Sequence, residues 1–392
     1  MAPIQVLILG GGIGGVEAAI EARRHHLETL LISDREYLWI YPLSIWIPTG
    51  ERSKETVKLP LFKLAQRHGF QWKMDEVVAI QEAGAKVQLK SGLILEQGRD
   101  YEQLVLALGS GKTQMEGQSN TYSLCGKPSE ADQIQEKLKT LVQKGQGSIA
   151  VGFGGNPKDP SAVRGGPAFE LIFNIDTWLR RKKIRDQFQL TFFAPMADPG
   201  IRMGKQAATR SENLLSQKGI QKLFGKKILR FESESIVFED QSRWESQLIL
   251  FFAAGTGSKV YQNSGLPLNE SGFIRTEPSC QVVGSPHVWA IGDSAALLGP
   301  EWKAKQGHIA EVMAKTAIHN MSIKDVQVHQ SYVSQVNIVC VMDVGNGAAL
   351  IYRDDHRGWV LTLPIIGHWL KKAWGIYFRL SKLKWIPRLS GF

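Results

Sequence analysis

Gly10, Gly12 and Gly15 stand in G-x-G-x-x-G spacing between an apolar run, Val6-Leu7-Ile8-Leu9, and a helical pattern that opens with Val16-Glu17-Ala18-Ala19-Ile20. No other stretch restricts the fold as strongly, because a strand, a tight glycine turn and a helix in one short unit is the context that dinucleotide binding demands. Gly10 turns the chain, Gly12 lets a pyrophosphate approach the backbone, and Gly15 lets the helix close on its strand. Gly14 belongs to the same turn. The free N–H groups at the helix start, and the positive end of its dipole, then face the phosphates. A second apolar run, Thr29-Leu30-Leu31-Ile32, ends at Ser33-Asp34-Arg35. An acid about 20 residues beyond the turn is placed to accept a hydrogen bond from a ribose hydroxyl.

The 392 residues suggest two or three domains with sizeable cores. Three cysteines are too few for a disulfide scaffold, so each is either a redox candidate or a packed residue. No signal peptide is visible, and no run of 18 or more apolar residues offers a membrane span. The 47 Lys and Arg exceed the 37 Asp and Glu by 10. Most of that excess lies in the last tenth of the chain, in Arg357, Lys371, Lys372, Arg379, Lys382, Lys384 and Arg388, with no acid after His356. The body is therefore close to neutral, which argues against a nucleic-acid-binding face there.

Along the chain, Arg35 to Pro42 forms an aromatic loop suited to line a cofactor pocket. Residues 79–106 alternate as short strands and lead into Leu104-Val105-Leu106-Ala107-Leu108-Gly109, an apolar strand whose small terminal residues allow close approach to a nucleotide. A second unit begins at Ser148-Ile149-Ala150-Val151-Gly152-Phe153-Gly154-Gly155, but Pro157 and Pro160 stand where a helix should start, and helical pattern resumes only near Pro167-Ala168-Phe169-Glu170. Displacing that helix N-terminus removes the usual phosphate cradle, so a modified or absent nicotinamide site is expected. Val288-Trp289-Ala290-Ile291-Gly292-Asp293 then delivers an aspartate suited to hydrogen-bond a flavin ribityl chain. Together with the first turn it predicts a flavin domain split in sequence. The fold expected is α/β, with two Rossmann-like three-layer domains: an FAD domain from 1–112 and 243–325, an inserted domain at 113–242, and a C-terminal region at 326–392.

These motifs, with Lys305-Gln306-Gly307-His308 before Glu311 and Cys340-Val341-Met342-Asp343-Val344-Gly345, make the chain resemble the two-dinucleotide-binding flavoproteins. Within them it resembles the sulfide:quinone oxidoreductases, which are related to flavocytochrome c sulfide dehydrogenase and the type II NADH dehydrogenases. The resemblance implies FAD held by Gly10, Gly12, Gly14, Gly15, Ser33, Asp34, Arg35, Ala107, Gly109, Gly292, Asp293 and Lys305, with no metal. It also implies electron flow from sulfide through FAD to a membrane quinone, with Cys340, Cys125 and Lys305 as catalytic residues. Cys125 is similar to the family's first cysteine and Cys340 to its third; the second would fall near Gly165-Gly166, where no cysteine stands. Cys280 matches none of the three and reads as a packed residue. Two other readings stay open: a type II NADH:quinone oxidoreductase, and a flavin-containing electron-transfer or assembly subunit without sulfide chemistry. Self-association is left open.

From Ile366 to Leu380, apolar residues recur at helical spacing among Lys371, Lys372 and Arg379. This pattern predicts a helix lying in a membrane interface, with its cations toward anionic headgroups, and hence a peripheral membrane protein. On that reading, removing everything after Leu363 leaves the flavin-binding body intact.

Overall fold

The computed structural model describes residues 3–125, 128–323 and 325–388. The first apolar run forms β1 (Ile4–Leu9), followed by α1 (Ile13–Arg24), β2 (Thr29–Ser33), β3 (Gln71–Met74) and β4 (Tyr101–Leu106). After an inserted domain the chain returns as β9 (Gln281–Val282) and β10 (Ser285–Ala290), giving a six-stranded sheet of order β9-β10-β4-β1-β2-β3. All neighbours are parallel except the β9–β10 pair. β1 is central and buried on both faces, which is why it reads as a continuous apolar run. The strands predicted in 79–106 form an antiparallel sheet, and its Gly84 sits against Leu104 and Val288 of the parallel sheet.

The inserted domain comprises β5 (Gly147–Phe153), α2 (Gly165–Arg181), β6 (Phe188–Ala194), β7 (Gln221–Phe224) and β8 (Leu248–Phe252), with strand order β7-β6-β5-β8, all parallel. Phe193, Phe231 and Phe251 join it to a small antiparallel sheet. The boundary drawn at 243 needs correction, because β8 registers against β5 from Ile149–Leu248 to Phe153–Phe252 and the inserted domain extends through Phe252. α3 (Gly307–Met321) then packs on α1, and a hairpin sheet of β11 (Ile338–Asp343), β12 (Gly347–Arg353) and β13 (Gly358–Pro364) leads to α4 (Ile366–Lys382).

α4 corrects the expectation for the tail. Its inner face carries Gly367, His368, Lys371, Gly375, Phe378 and Lys382, and its outer face Ile366, Trp369, Leu370 and Ile376. The amphipathic pattern is thus inverted, with charged and small residues packed inward. A Cβ on Gly367 would strike Ala348 and one on Gly375 would strike Leu43, so these glycines let the helix lie close. Lys382, 1% exposed, bonds the buried Glu17 of α1 and sits 2.5 Å from Glu311 of α3, and Arg388 lies 2.5 Å from Glu17. Burial acts to raise the Glu17 pKa, but Lys382 and Arg388 outweigh it and bring it to about 2. Lys371 bonds the buried Glu170 of α2. Arg379 donates to the Thr56 and Lys58 carbonyls, and Arg67 donates to the Leu383 carbonyl at 3.0 Å. Most of the tail's cations are therefore counter-charges of the body.

Removing one partner of a buried pair costs about 3–5 kcal/mol. Lys382→Met should approach the lower end of that range, because Arg388 stays against Glu17. Removal of all residues after Leu363 leaves Glu17, Glu170, Glu311 and Asp343 short of counter-charge and should abolish a folded yellow protein. Thermal melting and flavin content check both; a truncated chain that stays soluble with wild-type flavin content would contradict this account.

Candidate functional site

The glycine turn of the first domain has the geometry that its spacing predicts. Gly10 adopts φ +113, and its N–H donates to the Ile32 carbonyl at 2.8 Å. A Cβ at Gly10 would collide with the Ala107 carbonyl, and one at Gly15 with the Gly10 carbonyl, so both glycines are fixed by close backbone crossing. At Gly12 a Cβ would meet nothing within 4 Å, and Gly12 is the residue that caps α1. Open space over free helix N–H groups fits a pyrophosphate. A Cβ at Gly14 would lie 3.5 Å from the Ala310 side chain of α3, in ordinary contact. At the end of β2, Ser33 Oγ accepts from the Arg35 amide at 3.2 Å, while Asp34, largely exposed, makes among the described residues a long 3.4 Å contact with Arg35 and stays open to a ribose.

The other cofactor candidates gather at the same sheet edge. Ala107 N–H donates to the Leu9 carbonyl at 2.9 Å. Gly109, at φ +75, donates to Ser294 Oγ at 3.0 Å, and Gly292, at φ +59, lies against Ala310. Asp293 pairs with Arg164, whose guanidinium also donates to Ser110 Oγ at 2.9 Å. Burial acts to raise the Asp293 pKa, but Arg164 and Lys305 outweigh it and hold it down. Lys305 Nζ donates to the Ala295 carbonyl and lies 3.9 Å from the Phe273 ring centre. Burial brings its pKa to about 8, against the pull of Asp293. Arg164, beside the place where the family's second cysteine would fall, is a member of this cluster that the sequence did not single out.

All three cysteines are free thiols. Cys125 is half-buried in the electrostatic neighbourhood of Lys112 and Arg164, and its amide donates to Ser123 Oγ at 3.3 Å. Cys280 is buried in a turn at φ +73, and burial alone pushes its thiol well up. Cys340, on β11, lies near Glu170 and Lys371; burial, reinforced by Glu170, pushes its thiol up to about 12.

The second glycine turn differs from the first. α1 starts at Ile13, directly after β1, whereas α2 starts only at Gly165 although β5 ends at Phe153. The intervening loop is tied down. Asn156 Nδ2 donates to the Gly255 carbonyl at 3.0 Å and to Ser271 Oγ at 3.1 Å, and Asn269 donates to Asp159 at 3.2 Å. Lys305 N–H donates to the Ser161 carbonyl at 3.0 Å, and Arg202 donates to the Pro160 and Lys303 carbonyls. The loop is thus stitched to the segment that carries Lys305.

A second polar cluster lies beneath α4. Glu170 binds Lys371 and accepts from the Asp343 amide at 2.8 Å; Asp343 accepts from Asn174 at 3.0 Å and from His368 Nδ1 at 2.6 Å; His368 Nε2 reaches Glu51 at 2.7 Å. Lys372 contacts the same Glu51 oxygen at 2.5 Å. Glu170, Glu51 and His368 were not singled out from sequence. The available signal was a charge embedded in an apolar run, as in Ala168-Phe169-Glu170-Leu171-Ile172, which implies a buried partner.

Two largely parallel Rossmann-like sheets, one of them split, with a glycine cradle and a half-buried Gly-Asp strand end, define a flavin-dependent oxidoreductase class. The family profile described as pyridine nucleotide-disulphide oxidoreductase matches residues 4–317, and the chain belongs to that family. It is 25% identical over 304 residues to the demethylphylloquinone reductase NdbB of Synechocystis, covering 74% of this chain and 72% of the relative. It is 24% identical to the type II NADH:quinone oxidoreductase of Mycobacterium tuberculosis, covering 75% of this chain and 68% of the relative. Among solved structures, the sulfide:quinone oxidoreductase of Aquifex aeolicus superposes with a TM-score of 0.86 at 21% identity, covering 97% of this chain and 91% of that one. NDH2 of Plasmodium falciparum, in complex with NADH, superposes with a TM-score of 0.76 at 12% identity, covering 98% and 99%. FAD is the cofactor, and the open position at Gly12 and the neighbouring Asp34 and Asp293 fit it. Once bound, it supplies two-electron chemistry, which the protein orients and tunes.

Gly12→Val should fold normally yet purify without flavin absorbance, whereas Gly15→Val should not fold, because its side chain meets the Gly10 carbonyl. Circular dichroism with flavin absorbance separates the two effects; a Gly12→Val protein with full flavin content would show that the pyrophosphate sits elsewhere.

Proposed function

We propose that the protein passes two electrons from a small donor through FAD to a quinone, and that the donor is sulfide. The anchored loop from Asn156 to Arg164 carries this reading, because it displaces the helix start that would cradle a nicotinamide dinucleotide and ties it to the Lys305 segment. Quinone as acceptor is supported by relatives named as quinone reductases from a cyanobacterium, a mycobacterium and a plant. The Glu170–Lys371 pair suits that acceptor. It is a buried proton-bearing pair whose lysine comes from the helix with an apolar outer face. Cys340, beside the pair, is the thiol assigned to the donor side. Because those same relatives include enzymes named for NADH or NAD(P)H, oxidation of NADH is the second reading.

Anaerobic stopped-flow mixing decides between them. Sulfide should bleach the flavin, Cys340→Ser should slow that bleaching strongly, and NADH should bleach it poorly. Rapid bleaching by NADH with none by sulfide would replace the first reading by the second, and bleaching by neither would favour an electron-transfer or assembly role.

Docking on a membrane surface is part of the same proposal. No helix among the described residues is long and apolar enough to cross a membrane. The outer face of α4 and the adjoining strand expose Leu361, Ile365, Ile366 at 71% and Trp369 at 63%, a larger apolar patch than a water-facing helix needs. With Lys371, Lys372 and Lys382 engaged inward, the apolar term should dominate binding. Flotation on neutral vesicles should therefore survive high salt, and Ile366→Glu with Trp369→Glu should abolish it. Flotation that needs anionic lipid, or that ignores these substitutions, would contradict the proposed face.

A further inference from the structure

The cluster beneath α4 holds one group whose state is dictated by its neighbours. His368 Nδ1 lies 2.6 Å from an Asp343 oxygen and Nε2 lies 2.7 Å from a Glu51 oxygen. Ionised carboxylates only accept, so both ring nitrogens carry protons and the ring is an imidazolium. The other groups facing it are Lys372, which shares Glu51, and the edge-on rings of Trp46 and Trp369. Asp343 is wholly buried; apart from His368, its carboxylate accepts, among the described residues, from the neutral N–H groups of Asn174 and Gly345. Its own amide donates to Glu170, and its charge acts on Glu170, the partner of Lys371.

We infer that His368 is a positioning residue for quinone protonation: by balancing Asp343 it leaves Lys371 free to release a proton. The inference rests on the quinone-reducing reading. Making a quinol adds two electrons and two protons to the quinone; reduced flavin carries both electrons and one proton, and the protein supplies the other. The step breaks an Nζ–H bond of Lys371 and forms an O–H bond on the quinone. It leaves a neutral amine against Glu170, and a proton entering from solvent restores the ammonium. Glu51 is the entry point, since its side chain is 21% exposed, the most open of the cluster. Beside it lies a cavity of about 30 Å³ lined by Glu51, Asn174, Thr177 and Gly345, and the buried Thr177 hydroxyl has no partner among the described residues. That space has room for one water, within reach of polar groups that would fix it.

Without the imidazolium, the buried Asp343 charge holds the Lys371 proton more tightly, and one pKa unit corresponds to about a tenfold change. The test uses flavin-loaded protein reduced with stoichiometric dithionite, then mixed anaerobically with a soluble short-chain benzoquinone, so that donor identity does not enter. His368→Gln should slow flavin re-oxidation about tenfold, and adding Asp343→Asn should restore most of the rate, because the unbalanced charge is then gone. A packing role would give no such rescue. Nitrogen NMR of the ring in the wild type needs no variant: His368 should stay protonated until the pH nears about 9. A neutral ring at neutral pH overturns the inference, as does His368→Gln re-oxidised at the wild-type rate. A wild type that quinone fails to re-oxidise overturns the inference and the underlying reading together.

Discussion

Four carboxylates buried in the body, Glu17, Glu170, Glu311 and Asp343, share one source of counter-charge, the inner face of the C-terminal helix and the residues after it. Glu17 follows the phosphate-binding turn on its own helix, Glu170 rises from the helix of the inserted domain, and Asp343 ends the hairpin strand that carries Cys340. The last helix therefore joins three parts of the molecule that sequence places far apart. A buried charge without a partner is so unfavourable that the helix cannot leave without disturbing the cofactor domain. The attachment is structural, and it fixes which face of the helix is left over for contact outside the molecule.

That leftover face changes the physical picture of the proposed docking. An ordinary interfacial helix turns lysines to the lipid headgroups and relies in part on charge. Here charge is spent inward, and the outward residues are Ile366, Trp369, Leu370 and Ile376. A quinone arriving through such a face would move from an apolar surface toward the ion pair of Glu170 and Lys371, a transition suited to a carrier with a hydrophobic tail and a proton-accepting head.

Much of the first domain was legible because glycine and short apolar runs have few alternatives. Gly10 and Gly15 are required by backbone crossings that any side chain would block, and the strand pairs follow from continuous buried runs. The disrupted second turn was legible for the same reason, since Pro157 and Pro160 cannot enter a helix interior. Other features depend on partners distant in sequence. Nothing local marks Arg164 as the partner of Asp293, or Glu51 as the partner of His368, because each pair is made by tertiary packing across more than a hundred residues. The tail was misread through its period alone: helical spacing shows that two faces exist, and only packing shows which one is buried. The end of the inserted domain was misplaced because an apolar strand such as Leu248–Phe252 suits either parallel sheet.

On the proposed reading, the loop after Gly155 closes the nicotinamide site and leaves the flavin to a small donor. Equilibrium titration of NADH into the oxidised, flavin-loaded protein tests it most directly, because binding is read apart from any electron transfer. No saturable binding is expected up to about 1 mM, an affinity no stronger than about −4 kcal/mol. Saturable binding in the micromolar range, lost when Gly154 is replaced by a bulky residue, would contradict it.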